Sequence, residues 1–524
     1  MAECYLIHTT PGRELMKRVV FGAAILLTLC GSCIATARQE SPSERPAQPR
    51  LIDGEDTVAL KGATVIDGTG AKPRPGAVIV IVKDRIAYVG DAVGVRLGPR
   101  VKVVDLAGRW VVPGFIDTHG HVPDADGAAG FLTQLLVFGT TTLRAPFGSH
   151  ELRDRVAAGT QLGPMLFVSG DAIDGQESFT GKNRFSTDTE VRDEVRRQVA
   201  EKVDFIKLYD DLPPNLVQVA IEEAHRHGLR VMGHLGRTTW TQAAELGIDS
   251  LAHSWYCGLA NSIVPAQYQE EFRDFYIPNR RFDPALFRKW REVVDPNGPE
   301  VAHLASLLRE RRVEVHPNLV LGEAVTWGDD PAVLERLEPG FAPAKDVTDW
   351  RRGRHLFSSY WPVEALAEAK LAWPFMVQVI RAFHEHGVLL TVGTDYQNPW
   401  MTPGVAFHRE LELLVSAGIS PLDVLRIATR NGAEALGILQ EVGTIEMGKR
   451  ADLVVLTADP LAAIANTRKI ERVFLKGRPF EPQQLLGVRG TGHPGSQPSA
   501  AVGASETDRS AAHVGGTDRV AAAH

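Results

Sequence analysis

Cysteine is scarce in this 524-residue chain. It occurs only as Cys4, Cys30, Cys33 and Cys257, which excludes a disulfide-built scaffold. A surplus of one charge is also missing: Lys+Arg is 57 against Asp+Glu 64, a net of −7. A nucleic-acid partner would call for a basic face, so that class is excluded. Hydrophobic residues at 44% and charged residues at 23% exclude wholesale disorder and fibrous repeats. The apolar stretch Val19 to Leu29 (VVFGAAILLTL) is too short for a membrane-spanning helix, which needs about 20 residues. What the chain does have is histidine, 17 in all.

The two ends differ from the middle. Met16-Lys17-Arg18 opens a basic segment, Val19 to Leu29 has the length of a secretory apolar core, and Ala35-Thr36-Ala37 fits a small-residue cleavage site. Residues 1–37 are therefore expected to be an export signal starting at Met1 or Met16, with the mature chain periplasmic or secreted. A lipid-bearing Cys30 or Cys33 is the alternative, and only that version ties the protein to a membrane as a lipoprotein. A buried N-terminal helix is the third reading. Residues 38–55 are a Pro-rich linker. Removing 1–37 leaves Cys257 alone, so no intramolecular disulfide would remain. Residues 487–524 carry His493, His513 and His524 but too few large apolar residues to offset the entropy of ordering, and are expected to be a disordered tail.

The middle repeats one unit: helix, glycine, strand, polar residue. Asn215 to His227 has helical periodicity, Gly228 caps it, and LRVMGH ends at His234. A short helical segment ending at Leu246 is capped by Gly247, and IDSLAH ends at His253. Ala302 to Arg311 precedes VEVHP with His316. Phe375 to His386 precedes Gly387 and VLLTVGTD, ending at Asp395. Upstream, WVVPGFIDTHGH, GTTTLRA, PMLFVSG and VDFIKLY complete eight strand candidates. Eight parallel βα units close most simply as a TIM (β/α)8 barrel, expected over 111–440, with its site at the strand C-termini. A doubly wound open sheet is the alternative, but no glycine fingerprint for phosphate follows the first strand. Residues 56–110 and 441–482 alternate short β-rich runs with turns and are expected to join as a small β-sandwich. The long stretches Gly258 to Pro299 and Gly322 to Trp373 read as lid insertions over the pocket.

Several residues carry chemistry. His119 and His121 stand two apart on a strand and so face one way, able to share a cation. Asp117 has the same parity, either orienting an imidazole or closing a turn. Lys207 lies inside DFIKLY, where a buried ammonium is costly. It is either a carbamate formed with CO2, an anionic ligand able to bridge two metals, or a lysine paired with an acid or reaching solvent. His234 and His253 close successive strands, and their matching places read as metal ligands. Asp395 can ligate a metal and take a proton from water. His316 contacts substrate or packs. Arg144, Tyr209, Arg237 and Tyr396 also lie at strand ends, where they hold a substrate group or make structural contacts.

This set, with GRWVVPGFIDTHGH, VGTD and the C-terminal SAGISPLDVLRIATRNGAEALGI followed by GTIEMGKRADLVVL, resembles the amidohydrolase superfamily over about Asp56 to Lys476. The nearest branch in pattern is that of imidazolonepropionase-like and Xaa-Pro dipeptidase-like hydrolases. The resemblance implies two divalent ions, zinc first among them, bridged by carboxylated Lys207 and a hydroxide. His119, His121 and Asp395 would hold one, His234 and His253 the other, with Asp395 moving the proton. It implies hydrolysis of an amide C–N bond in a small substrate such as a dipeptide or N-acyl amino acid. Lactone, cyclic amide or phosphotriester hydrolysis, a single-metal deaminase and a non-catalytic binding protein are the rivals. A homo-oligomer stays open. Two departures bear on substrate: Ala252 stands where the branch often has Glu, and Pro317-Asn318 where it often has Pro-Thr.

Overall fold

The computed structural model describes residues 49–123, 125–177, 183–254, 257–274, 283–337, 341–352, 362–396 and 398–487. The expected export signal with Cys30 and Cys33, most of the linker and the tail from 488 lie outside the described residues. So do some lid aromatics, including Tyr256, Phe275 and Tyr360. Among the described residues no helix is long and apolar enough to cross a membrane.

Parallel strands form two arcs. The first contains β1 (Phe115–Asp117), β2 (Thr140–Ala145) and β3 (Met165–Val168). The second contains β4 (Phe205–Leu208), β5 (Arg230–Gly233), β6 (Ser250–Ala252), β7 (Glu314–His316) and β8 (Leu389–Leu390). Each pairs in parallel with its chain neighbour within its arc. Backbone hydrogen bonds join the arcs at both ends. Asp204 N–H donates to Val168 O at 2.8 Å and Ile173 N–H to Lys207 O at 2.9 Å. At the other seam Thr118 N–H donates to Val392 O at 2.8 Å, and Thr394 N–H to His119 O at 2.9 Å. β2, β4, β6 and β7 are buried along their whole length, as parallel strands covered on both faces must be.

The covering helices follow their local signals. Thr187 with Glu190 and Thr239 with Gln242 form capping boxes for the helices Asp188–Ala200 and Trp240–Leu246. Gly228, Gly247 and Gly387 take positive φ (72°, 95° and 79°) just past helix ends, the conformation that glycine tolerates. One unit departs from this pattern. The helix Pro299–Arg311 ends on Arg312 at φ 57°, a left-handed residue with no glycine signal. Among the described residues, the stretches read as lid insertions contain helices. Pro284–Val293 lies against the helix Val363–Glu385, and Arg288 and Arg291 both bond Glu368. Val363–Glu385 starts twelve residues before the expected Phe375 and runs through Pro374.

Both flanks of the arcs meet in one mixed sheet. Leu453–Leu456 runs antiparallel to Trp110–Pro113, which pairs in parallel with Thr57–Val65. Strand alternation puts Leu60, Ile79 and Ile81 in one apolar cluster and Ala59, Val78 and Val80 in another. Ile52 and Val95, from the paired strands Arg50–Ile52 and Val95–Leu97, belong to the second cluster. The strand Arg50–Ile52 thus lies inside the segment read as linker.

The helices Asp188–Ala200 and Pro214–Arg226 are joined by a charge cluster. Glu223 is buried and accepts from Arg196 Nε at 2.8 Å and Arg192 Nη1 at 3.3 Å, with Arg226 as a third partner. Burial alone would raise its pKa, but the Arg196 bond and the other guanidinium groups lower it from 4.5 to about 2. A carboxylate with a depressed folded pKa stabilises above its unfolded pKa, and that gain is lost as pH falls through the folded value. Glu223→Gln is therefore expected to lower the urea midpoint at pH 6 and to shrink its fall between pH 4.5 and 2. An acid limb identical to wild type would refute this.

Candidate metal centre

The site forms where β1 meets β8. The Asp117 carboxylate accepts from His119 N–H at 3.1 Å, Thr394 N–H at 3.2 Å and Thr394 Oγ1 at 2.7 Å. It therefore braces the backbone of both strand ends instead of orienting an imidazole. Gly393 makes the close approach possible: a Cβ there would sit 2.9 Å from His119 Cβ and 3.1 Å from His316 Cβ. His253 and Asp395 adopt positive φ, 67° and 55°, as does Asn318 at 54°. Such backbone is costly for non-glycine residues and clusters at functional sites. Asn318 Oδ1 accepts from His253 N–H at 3.3 Å, which helps hold that turn.

Asp395 is the hub. Its Oδ1 lies 2.8 Å from His121 Nε2 and 3.2 Å from His119 Nε2, and its Oδ2 lies 3.7 Å from His253 Nε2. The ligand atoms of His119, His253 and Asp395 all fall within 4.8 Å of one another. The His234 ring is 4.3 Å from that of His253 and 4.5 Å from that of Tyr209. His121 Nδ1 lies 3.1 Å from Pro146 O, an acceptor, so that nitrogen carries the hydrogen. The Nε2 lone pair then faces a carboxylate oxygen at 2.8 Å, and two acceptors at that distance need a proton or a cation between them.

Burial sets the charge state. It pushes His119 well below the usual histidine range, with Lys207 and the neighbouring imidazoles adding to the effect. Burial takes His253 down to about 3, against the opposing pull of Asp395. For Asp395 burial acts upward, but the His121 bond and nearby positive charge hold it at about 2, so it stays ionised. Lys207 is 1% exposed, and burial lowers its amine to about 7, only partly opposed by Asp395. Its Nζ has no hydrogen-bond partner among the described residues. Neutral imidazoles, one carboxylate and a near-neutral buried amine are the donor set of a borderline divalent ion, and the residues present fit such a group.

The remaining candidates lie at different depths. His316 is buried beside His119, ring centroids 4.9 Å apart. Arg144 does not stand open to a substrate carboxylate: it is 4% exposed and paired with Glu314 at 2.9 Å. Tyr396 is fully buried against Phe131 and under Gly120, where a Cβ would meet its ring at 2.9 Å. Tyr209 lies beside His234, and its ring centroid is 5.9 Å from Lys207 Nζ. Arg237 is half-exposed, its Nη1 3.6 Å from Asp211. Glu314 was not singled out in the sequence. The signal was present, since an acid between two valines in VEVHP is as anomalous as the lysine in DFIKLY. His225 and His227 sit away from the centre on acidic partners, Asp249 and Glu223.

The geometry predicts cation binding that depends on these side chains. Chelator-stripped protein titrated with Zn2+ should take it up, and His253→Ala should weaken uptake at least about tenfold, while His225→Ala should leave it unchanged. Equal affinities in all three proteins would rule out this centre.

The amidohydrolase family model matches residues 370–480. The chain is 44% identical to adenine deaminase 3 of Rhizobium meliloti (strain 1021) over 452 residues, 84% of this chain and 61% of that one. It is 25% identical to the imidazolonepropionase of Symbiobacterium thermophilum, across 76% of this chain and 86% of that one. The chain spans less than two thirds of the first adenine deaminases it matches. A solved Xaa-Pro dipeptidase with bound methionine superposes with a TM-score of 0.60 over 81% of this chain and 100% of that chain, at 18% identity, a likeness of fold. These matches identify an amidohydrolase-family segment at residues 370–480 and make the chain similar to proteins of the amidohydrolase superfamily.

Proposed function

We propose that the protein is a metal-dependent hydrolase of C–N bonds, cleaving an amide in a small substrate such as a dipeptide or N-acyl amino acid. The two strand arcs are read as one (β/α)8 barrel, with the flanking sheet as its small β-sandwich domain. The single observation that carries the reading is the buried Lys207 amine beside neutral imidazoles and an ionised Asp395. His119, His121 and Asp395 would hold one divalent ion, zinc in the first instance, and His234 and His253 a second. Bound ions supply Lewis acidity, polarising the scissile carbonyl and lowering the pKa of water toward about 7.

The chain's own residues do the rest. Asp395 takes the proton of the attacking water at a carboxylate oxygen and returns it to the leaving nitrogen, so that acid and amine are released with atoms balanced. Lys207 joins the set as a carbamate: its Nζ lone pair bonds the carbon of CO2 and a proton leaves. That step needs the neutral amine, which burial favours at and above pH 7. Residues 1–37 are read as an export signal, on the basic segment and apolar core described above.

A second reading has its own support. The 44% identity to an adenine deaminase favours attack at a ring carbon bearing an exocyclic amine. Metal-reconstituted protein tested on dipeptides, N-acyl amino acids and adenine separates the two. Turnover of an amide is expected. Turnover of adenine alone would replace the first reading with the second, and turnover of neither would remove both.

Lys207→Ala is expected to lose one of two bound ions by elemental analysis and about 100-fold or more in turnover. The basis is that ligand-supporting groups are typically worth 10–100-fold and a ligand itself no less. Full ion content with full activity would show that Lys207 bridges nothing.

A further inference from the structure

Directly beneath the centre the interior is polar. Arg144, near the end of β2, and Glu314, in β7, are 4% and 1% exposed and pair at 2.9 Å. Arg144 reaches two other strands. Its Nε donates to Thr118 O at 2.6 Å, on the residue just before His119. Its Nη2 donates to Ser250 Oγ in β6 at 3.0 Å. Glu314 Oε1 also accepts from Thr391 Oγ1 at 2.5 Å, and the Thr391 and Thr118 hydroxyls lie 2.8 Å apart. One ion pair thus links β2, the first residues of β6 and β7, and the residues that directly follow β1 and β8.

His316 stands two residues past Glu314, so both side chains leave β7 on the same face. Its Nδ1 is 3.3 Å from Glu314 Oε1 and 3.3 Å from Arg144 Nη2. The two hydrogens on Nη2 already have Glu314 and Ser250 at shorter distances. Nδ1 is then left to donate to Glu314, and a neutral imidazole that donates from Nδ1 keeps a bare lone pair on Nε2. That Nε2 is buried without a partner among the described residues. A buried ion pair is a weak source of stability, since desolvation offsets much of its attraction. Its place under the centre calls for another role.

We propose that Arg144 and Glu314 are positioning residues for the candidate metal centre. They hold the backbone that carries His119 and fix His316 as the Nδ1–H tautomer, with its Nε2 lone pair offered to the centre. What they position rests on the metal-dependent reading above; the tautomer does not.

Two measurements test this. Arg144→Met/Glu314→Leu removes both charges at once and leaves neither buried alone. Cation-free double variant is expected to melt at or above the wild-type temperature, while its Zn2+ affinity, read by competition with a chelator, falls at least about tenfold. A folded double variant with wild-type Zn2+ affinity overturns the proposal. The second measurement uses the unaltered chain: 15N shifts of labelled histidines, with the His316 signals assigned by their loss in His316→Phe. Protonated Nδ1 and bare Nε2 are expected. A hydrogen on Nε2 overturns the proposal even if the double variant does not fold. Wild-type protein that takes up no Zn2+ sinks the metal-dependent reading and the centre to be positioned, whereas the tautomer decides the Arg144–Glu314–His316 link separately.

Discussion

The site depends on the seam between the first and last strands of the two arcs. Asp117 and Thr394 are 277 residues apart in sequence, and a buried carboxylate joins them through three hydrogen bonds that also include the His119 amide. Thr394 and Asp395 N–H both donate to His119 O, at 2.9 and 2.7 Å. Without that seam His119 and Asp395 would sit on separate ends of the chain. With it, a carboxylate oxygen lies within reach of His119 and His121 together.

Low dielectric then determines what the assembled groups can be. Desolvation disfavours charge on His119 and His253, which therefore present lone pairs, and lowers the Lys207 amine to about 7. The Asp395 carboxylate is held ionised by its neighbours, although burial acts to raise its pKa. A centre of neutral nitrogen donors around a single anion attracts a cation, and a buried charge without a counterion would be far costlier. The layer below follows the same rule. Arg144 and Glu314 pair with each other, and the Arg144 bond to Thr118 O reaches the residue directly before His119.

Much of this was legible from local pattern. Helical periodicity ending in Gly228, Gly247 or Gly387 is a short-range signal, and all three glycines take the left-handed backbone such caps require. Residues two apart on a strand share a face, which is why His119 and His121 could be read as a pair, although β1 ends at Asp117 and both histidines follow it. Other features were hidden. The helix Val363–Glu385 runs through Pro374 because Ala365, Ala369, Ala372, Met376 and Val379 bury one face, and tertiary packing overrides the local penalty. Arg312 ends a helix in a conformation that its side chain does not favour. Whether Arg144 holds a substrate group or makes a structural contact stayed open in the sequence because its partner lies on another strand, and Glu314 gave no sign of which cation it would meet.

The sequence by itself determined which donors stand at strand ends, which glycines close the helices and where the apolar strands run. These follow from backbone sterics and from periodicities of 2 and 3.6 residues, which act over a few positions. Only the tertiary structure decided that Asp117 would hold a seam, that Asp395 would serve three imidazoles, and that Arg144 would face inward to Glu314. Those outcomes rest on contacts between residues hundreds of positions apart and on the exclusion of water around them. No local window of the sequence contains either.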